Sequence, residues 1–255
     1  MITNNKTSGN LPSIASSSSS SPSTIVAPLS KLSYMWLHET EEALPKECLR
    51  NLISLRTLDL WTCPLPQGMR YLIALQRLEV RYSEVVDLSN DWDEMEWQGL
   101  RNLLELVVDS LPKLVSLPMG LQYVSSLQSL NIWNCRSLIA IPEWICKLIS
   151  LQKLSIWKSP NLESLPEGIG ALTSLQTLEI RHCPILQNRC KKQIGEDWHK
   201  ISHIPNLDIE EPDEEEPNEE AKEPARQNLE LIKAFGCCNC STQQLTHWLL
   251  SCTFI

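Results

Sequence analysis

Cys183, Cys190, His199 and His203 are metal ligands by residue type. The two histidines are spaced i,i+4, which would stack them on one helix face. Zinc-finger cysteines come as a close pair, whereas Cys183 and Cys190 are well separated, so no metal is expected. Cys237, Cys238 and Cys240 cluster more tightly beside the apolar stretch Leu229–Phe235. That is the setting in which thiols are lipidated, and the alternative is a tail without a selected role. Nucleophilic chemistry finds no support, since no serine sits in Gly-x-Ser-x-Gly. No Gly-x-x-x-x-Gly-Lys-Ser/Thr phosphate loop occurs either. The reading is of a non-enzyme without a cofactor. What remains is recognition chemistry. There are nine Trp against two Phe, and Trp and Arg dominate the energetics of protein interfaces.

Those residues are placed by a repeat. Leu127-Gln-Ser-Leu130-Asn-Ile132-Trp133-Asn-Cys135 recurs at Leu151 and again at Leu175, at the same spacing each time. Leu-x-x-Leu-x-Leu with a period of about 20–29 residues is the signature of a leucine-rich repeat. The anchoring leucines are Leu32, Leu55, Leu75, Leu103, Leu127, Leu151 and Leu175, giving about seven repeats. The first unit is degenerate, with Met35 and Leu37 at its inner positions. Leu-x-Leu alternation predicts a short strand with one buried face. Leu-Pro or Ile-Pro follows in most units (Leu44-Pro45, Leu65-Pro66, Leu117-Pro118, Ile141-Pro142, Leu165-Pro166). Proline fixes its own φ and lacks a donor, so it ends pairing and turns the chain. The fold class is an α/β repeat solenoid: a right-handed horseshoe with a concave parallel β-sheet and short turns, 3₁₀ or helical pieces on the convex side.

Positions between the inner leucines face outward. Six places past the anchor the chain reads Trp61, Arg81, Asp109, Trp133, Trp157 and Arg181. Neighbouring strands lie ~4.8 Å apart, so Trp133, Trp157 and Arg181 should form one patch. Tyr82, Lys158 and His182 extend it, and the whole row is the expected protein-binding face. Cys63, Cys135 and Cys183 share a position eight past the anchor. They should pack inward as small hydrophobes, reduced rather than paired. The unit from Leu75 to Leu103 is the longest of the array and lacks Leu-Pro. Its insertion, with Asp87, Asp91, Asp93, Glu94 and Glu96 around Trp92 and Trp97, is expected to be a solvated loop.

The ends differ in composition. Residues 1–28 are Ser- and Pro-rich and are expected to form a disordered linker. Residues 29–209 form the repeat domain. Within it 187–209 should be a cap that covers the last repeat's apolar face. Ile194, Trp198 and Ile201 are spaced as one stripe of a short helix. Residues 210–255 are expected to be a disordered, Cys-containing acidic tail, because Glu210 to Glu223 holds nine acids and one lysine of a chain with net charge −9. The remaining body is near neutral, so no nucleic-acid partner is expected. No apolar run reaches the roughly 18 residues of a membrane span, and Met-Ile-Thr-Asn-Asn-Lys lacks the continuous apolar stretch of a signal peptide, so none is expected. The expected location is the cytoplasm.

Leu-x-x-Leu-x-Ile-x-x-Cys-x-x-Leu followed by Leu-Pro-x-x-Ile resembles the repeats of plant intracellular nucleotide-binding leucine-rich-repeat disease-resistance proteins of the coiled-coil class. Gly195-Glu196-Asp197-Trp198-His199-Lys200-Ile201-Ser202-His203-Ile204-Pro205 is similar to the end of those repeat domains. The resemblance covers roughly residues 29–209. It implies recognition in plant innate immunity: binding of a pathogen effector or guarded host protein, or docking on a nucleotide-binding switch domain. The missing phosphate loop means nucleotide binding does not carry over. A general intracellular scaffold or signalling adaptor is the other reading.

Overall fold

The computed structural model describes residues 29–210, apart from positions 41, 85, 87 and 89–93. Eight strands form one parallel sheet in sequential order: β1 (Tyr34–His38), β2 (Thr57–Trp61), β3 (Arg77–Arg81), β4 (Glu105–Asp109), β5 (Ser129–Trp133), β6 (Lys153–Trp157), β7 (Thr177–Arg181) and β8 (Asn206–Ile209). The register aligns repeat positions without slippage, so Leu58, Leu78, Leu106, Leu130, Leu154 and Leu178 form one ladder. All six are fully buried, as are their partners two positions on, from Leu60 to Ile180. A one-residue slip would turn every one of these side chains to the solvent face.

The convex side is built from short turns. A helical turn at Lys46–Leu49 and 3₁₀ turns at Met119–Tyr123, Glu143–Lys147 and Glu167–Ala171 each start directly after a proline (Pro45, Pro118, Pro142, Pro166) in extended conformation. Each buries an apolar residue beneath the strands, among them Leu49, Leu121, Ile145 and Ile169. The short repeat period leaves no room for a longer helix between strands.

The residue following each of β1 to β7 is left-handed and is never glycine: Glu39, Thr62, Tyr82, Ser110, Asn134, Lys158 and His182, with φ between 50° and 55°. The reversal lets six of these amides donate to the last residue of the next strand, as in Tyr82 N to Asp109 O at 2.9 Å. Left-handed backbone costs an L-residue roughly 1–2 kcal/mol, less for Asn, and Thr62 is β-branched. Thr62→Asn should therefore raise the thermal midpoint by about 2–4 °C per kcal/mol relieved. A midpoint that does not rise in a thermal melt would mean that the neighbours, not the backbone, set the cost.

The long third unit departs from expectation. Glu94–Gln98 is a short helix rather than a solvated loop. Val86, Leu88 and Trp97 are buried in the core. The carboxylate of Glu96 accepts the backbone N–H groups of Gly68 and Arg70 and pairs with the Arg70 guanidinium at 2.6 Å. Asp87, Asp91, Trp92 and Asp93 lie outside the described residues.

The terminal segment also differs in part. Ile201 is fully buried and Trp198 packs partly against the core. Ile194 is 80% exposed, because residues 192–197 form turns and the helix begins only at Trp198. The expected three-residue stripe is thus reduced to Trp198 and Ile201. The segment also contributes β8. The expectations for residues 1–28 and 211–255 fall outside the described residues.

Candidate protein-binding face

On the concave side the register places His38, Trp61, Arg81, Asp109, Trp133, Trp157 and Arg181 in one row, each opposite the next on the neighbouring strand. Trp133 and Trp157 are direct neighbours, and Arg181 follows. Trp157 is 41% exposed, while Trp61 and Trp133 are half-buried. Three of the left-handed residues, Tyr82, Lys158 and His182, fold their side chains back over this row. Tyr82 lies 5.4 Å from the Trp61 ring, and His182 lies 6.2 Å from that of Trp157. The Lys158 ammonium sits 4.9 Å over Trp157, a cation–π distance. The eight residues expected to form the patch thus fall on one surface.

Their freedom differs along it. Arg81 lies 5.5 Å from both Trp61 and Trp133, with its side chain 18% exposed. It pairs with Glu79 at 2.7 Å and with Asp109 at 3.9 Å. Arg77 adds ion pairs to Glu79 and Glu105. Arg81 is therefore a strut that spaces two tryptophans. Arg181, half-exposed, pairs with Asp208 at 2.5 Å. Toward the last strands Trp157, Lys158, Arg181 and His182 are all exposed.

Two carboxylates of the floor are held back from ionising. Burial, then the charge of Glu79, raises Asp59 to about 6 against the hydrogen bond from the Tyr34 hydroxyl. Burial raises Asp109 against the hydrogen bond from Ser110 and the charge of Arg81. The first unit adds residues not anticipated. Tyr34, Trp36 and His38 sit two, four and six past Leu32, and Trp36 meets Trp61 edge-on at 6.5 Å. The same counting applied to the degenerate unit would have found them.

The cysteines lie beneath this face. Cys63, Cys135 and Cys183 are buried, free thiols that donate to the carbonyl two positions earlier, at 2.9–3.3 Å. Burial pushes Cys135 and Cys190 up to about 12 and raises Cys183. Thiolate is the reactive form, so native alkylation at pH 8 should modify the part-exposed Cys48 and Cys146 and spare these three. Peptide mapping that finds Cys135 labelled first would contradict the burial argument. Among the described residues, no three His, Cys, Asp or Glu side chains converge as metal ligands.

Repeat, register and short convex turns coincide with a match of residues 113–183 to the R13L1/DRL21 LRRs. This is a leucine-rich-repeat domain, and part of its repeat array is similar to repeats of plant disease-resistance proteins. Two such proteins of Solanum bulbocastanum match short stretches of it. RGA4 is 74% identical over 27 residues and RGA2 73% identical over 26. The stretches cover 11% and 10% of this chain and 3% of each relative. Among solved structures, a leucine-rich-repeat protein of Leptospira interrogans superposes with a TM-score of 0.57 at 26% identity, covering 72% of this chain and 44% of that one. The leucine-rich-repeat domain of the type III effector XopL superposes with a TM-score of 0.54 at 21% identity, over 73% and 71% of the two chains. This second likeness is one of fold. Leucine-rich-repeat domains are generally protein-interaction modules, and no helix among the described residues is long and apolar enough to cross a membrane.

Proposed function

We propose that the domain is a non-enzymatic recognition module of plant innate immunity, working in the cytoplasm through its concave face. It binds a pathogen effector or guarded host protein, or docks on the nucleotide-binding switch domain of a resistance receptor. The observation that supports this reading best is the aromatic and cationic row ending in Trp157, Lys158, Arg181 and His182 on the concave sheet face, with Trp157 41% exposed. Large aromatics bring buried area at low entropy cost, and truncating a central one typically costs about 2 kcal/mol or more in affinity.

The test uses the nucleotide-binding domain of a plant resistance protein supplied in trans, with binding read by calorimetry. Trp157→Ala should weaken binding by at least about 30-fold, the equivalent of 2 kcal/mol. Trp133→Ala with Trp157→Ala should abolish it. Neither side chain is in the core, so circular dichroism should be unchanged. Wild-type affinity in a folded double variant would move the contact off this face. No binding by the unaltered protein would reject the docking reading and leave the effector reading to be tested with the same variants.

A further inference from the structure

We infer that the N-terminal end of the concave face, at Trp36, Asp59 and Trp61, takes an arginine side chain of the protein partner. The inference rests on the reading of this face as a protein-binding surface and names the partner's chemistry at one end of it. Three observations carry it.

The first is a carboxylate to which the chain sends no cation. Asp59 stands on β2 opposite Trp36 of β1 and Glu79 of β3. Its Oδ2 accepts the Tyr34 hydroxyl at 2.9 Å, while its Oδ1 is buried without a hydrogen-bond partner. The two neighbouring guanidiniums are committed elsewhere. Arg77 pairs with Glu79 and Glu105, and Arg81 with Glu79 and Asp109. The outward positions of β1 to β4 therefore set Asp59, Glu79, Glu105 and Asp109 against Arg77 and Arg81 alone. Surplus negative charge on a binding face selects a cationic partner and steers its approach.

The second is a precedent within the same face. Arg81 lies 5.5 Å from the rings of Trp61 and Trp133 and ends on the carboxylates of Glu79 and Asp109. Tryptophan and carboxylate on neighbouring strands thus already hold one guanidinium here. Trp36 with Asp59 repeats that couple at the N-terminal end of the sheet, where the chain supplies no arginine of its own.

The third is the shape of the walls. Trp36 meets Trp61 edge-on at 6.5 Å, and both are part-exposed. His38 stands 5.5 Å from Trp36 on the same strand. A flat guanidinium stacks on such rings and donates in a fork to a carboxylate, which a lysine ammonium cannot do. Asp59 itself is part-exposed, and Tyr34, its donor, is 43% exposed. An incoming arginine therefore replaces the Tyr34 hydrogen bond without unpacking the core.

Nuclear magnetic resonance on the full chain tests this, with N-acetyl-arginine amide as the probe. N-acetyl-citrulline amide, of the same shape but uncharged, is the control. The indole N–H signals of Trp36 and Trp61 should move saturably with the arginine probe and not with the control, while that of Trp157 stays in place. Asp59 is raised to about 6 by burial and then by the charge of Glu79. Below that value it must lose a proton to take the cation, so affinity should fall about tenfold from pH 7.5 to pH 5. The groups facing Asp59 are Tyr34 and His38 from β1 and Arg77, Glu79 and Arg81 from β3. His38→Gln should keep the pH dependence. Asp59→Asn should weaken binding at least tenfold at pH 7.5 and leave no pH dependence, with circular dichroism unchanged. Equal shifts with citrulline, undiminished binding in a folded Asp59→Asn protein, or a response at Trp157 alone would overturn the inference. The wider reading is tested apart from this, by Trp157→Ala against a protein partner. Loss of the arginine response alone removes only the assignment of this end of the face.

Discussion

Asp197→Ala should destabilise the C-terminal repeats by roughly 3–5 kcal/mol, the usual cost of removing one partner of a buried ion pair. The Asp197 side chain is 1% exposed and organises the end of the solenoid. Its carboxylate accepts the Leu165 amide at 2.9 Å and a two-pronged pair from Arg189 at 3.1 and 3.2 Å. Lys200 reaches the same carboxylate at 3.0 Å, while also donating to Leu165 O at 2.6 Å and pairing with Glu167 at 3.0 Å. The terminal segment is thus fastened to the preceding repeat by charge as well as by Ile201. Burial alone would raise the Asp197 pKa. The hydrogen bonds from Arg189, Leu165 and Lys200 outweigh it and hold the group below its ordinary value. A depressed carboxylate contributes stability that is full above its unfolded pKa, about 3.9, and is lost as pH falls through the folded value. The native protein should therefore loosen at this end below about pH 4, and Asp197→Asn should flatten that acid dependence. Denaturant melts at pH 7 and pH 3.5, with hydrogen exchange on β6 to β8, read both. Because each repeat touches mainly its neighbours, protection of β2 and β3 should hold. An Asp197→Ala protein with unchanged stability would mean that the network only decorates an apolar cap.

What could be read from the chain followed how local the information was. The strands rest on Leu-x-Leu spacing within single units, and β2 to β7 fall where that spacing put them. The Trp133–Trp157 adjacency needed only the constant offset between units. The Asp197 network could not be read in this way. Its partners Arg189 and Leu165 stand at separations that match nothing in the repeat. The left-handed residues escaped notice because the usual signal, glycine, is absent from all seven positions. That bend turns Tyr82, Lys158 and His182 back over the aromatic row, so the texture of the face depends on it. β8 was hidden because Asn-Leu-Asp-Ile lacks the anchoring Leu-x-x-Leu and is the shortest strand of the sheet. The charged composition of the long unit suggested solvent. Two residues decide against it, because Glu96 spends its charge on buried amides and Trp97 is wholly covered.

Trp97→Ala should cost about 3–5 kcal/mol, the range for emptying a large buried aromatic, and should split the unfolding transition. Trp97 has no exposed surface. Its ring lies so close to Gly120 that a methyl group there would come within 2.5 Å of it. The helix Glu94–Gln98 packs between the turns Met69–Tyr71 and Met119–Tyr123. It therefore replaces the missing Leu-Pro turn as the link between the first three repeats and the last four. In a one-dimensional array, stability is a sum of units and nearest-neighbour interfaces, so weakening one interface uncouples the two sides. Urea unfolding monitored by exchange in β2 and in β6 should coincide in the native protein and separate in Trp97→Ala. Gly120→Ala should act in the same direction through the clash, whereas Met95→Ala, on the same helix but 58% exposed, should change nothing. A single coincident transition with native stability in Trp97→Ala would show that the long unit is held by its strand alone, with the helix a detachable addition.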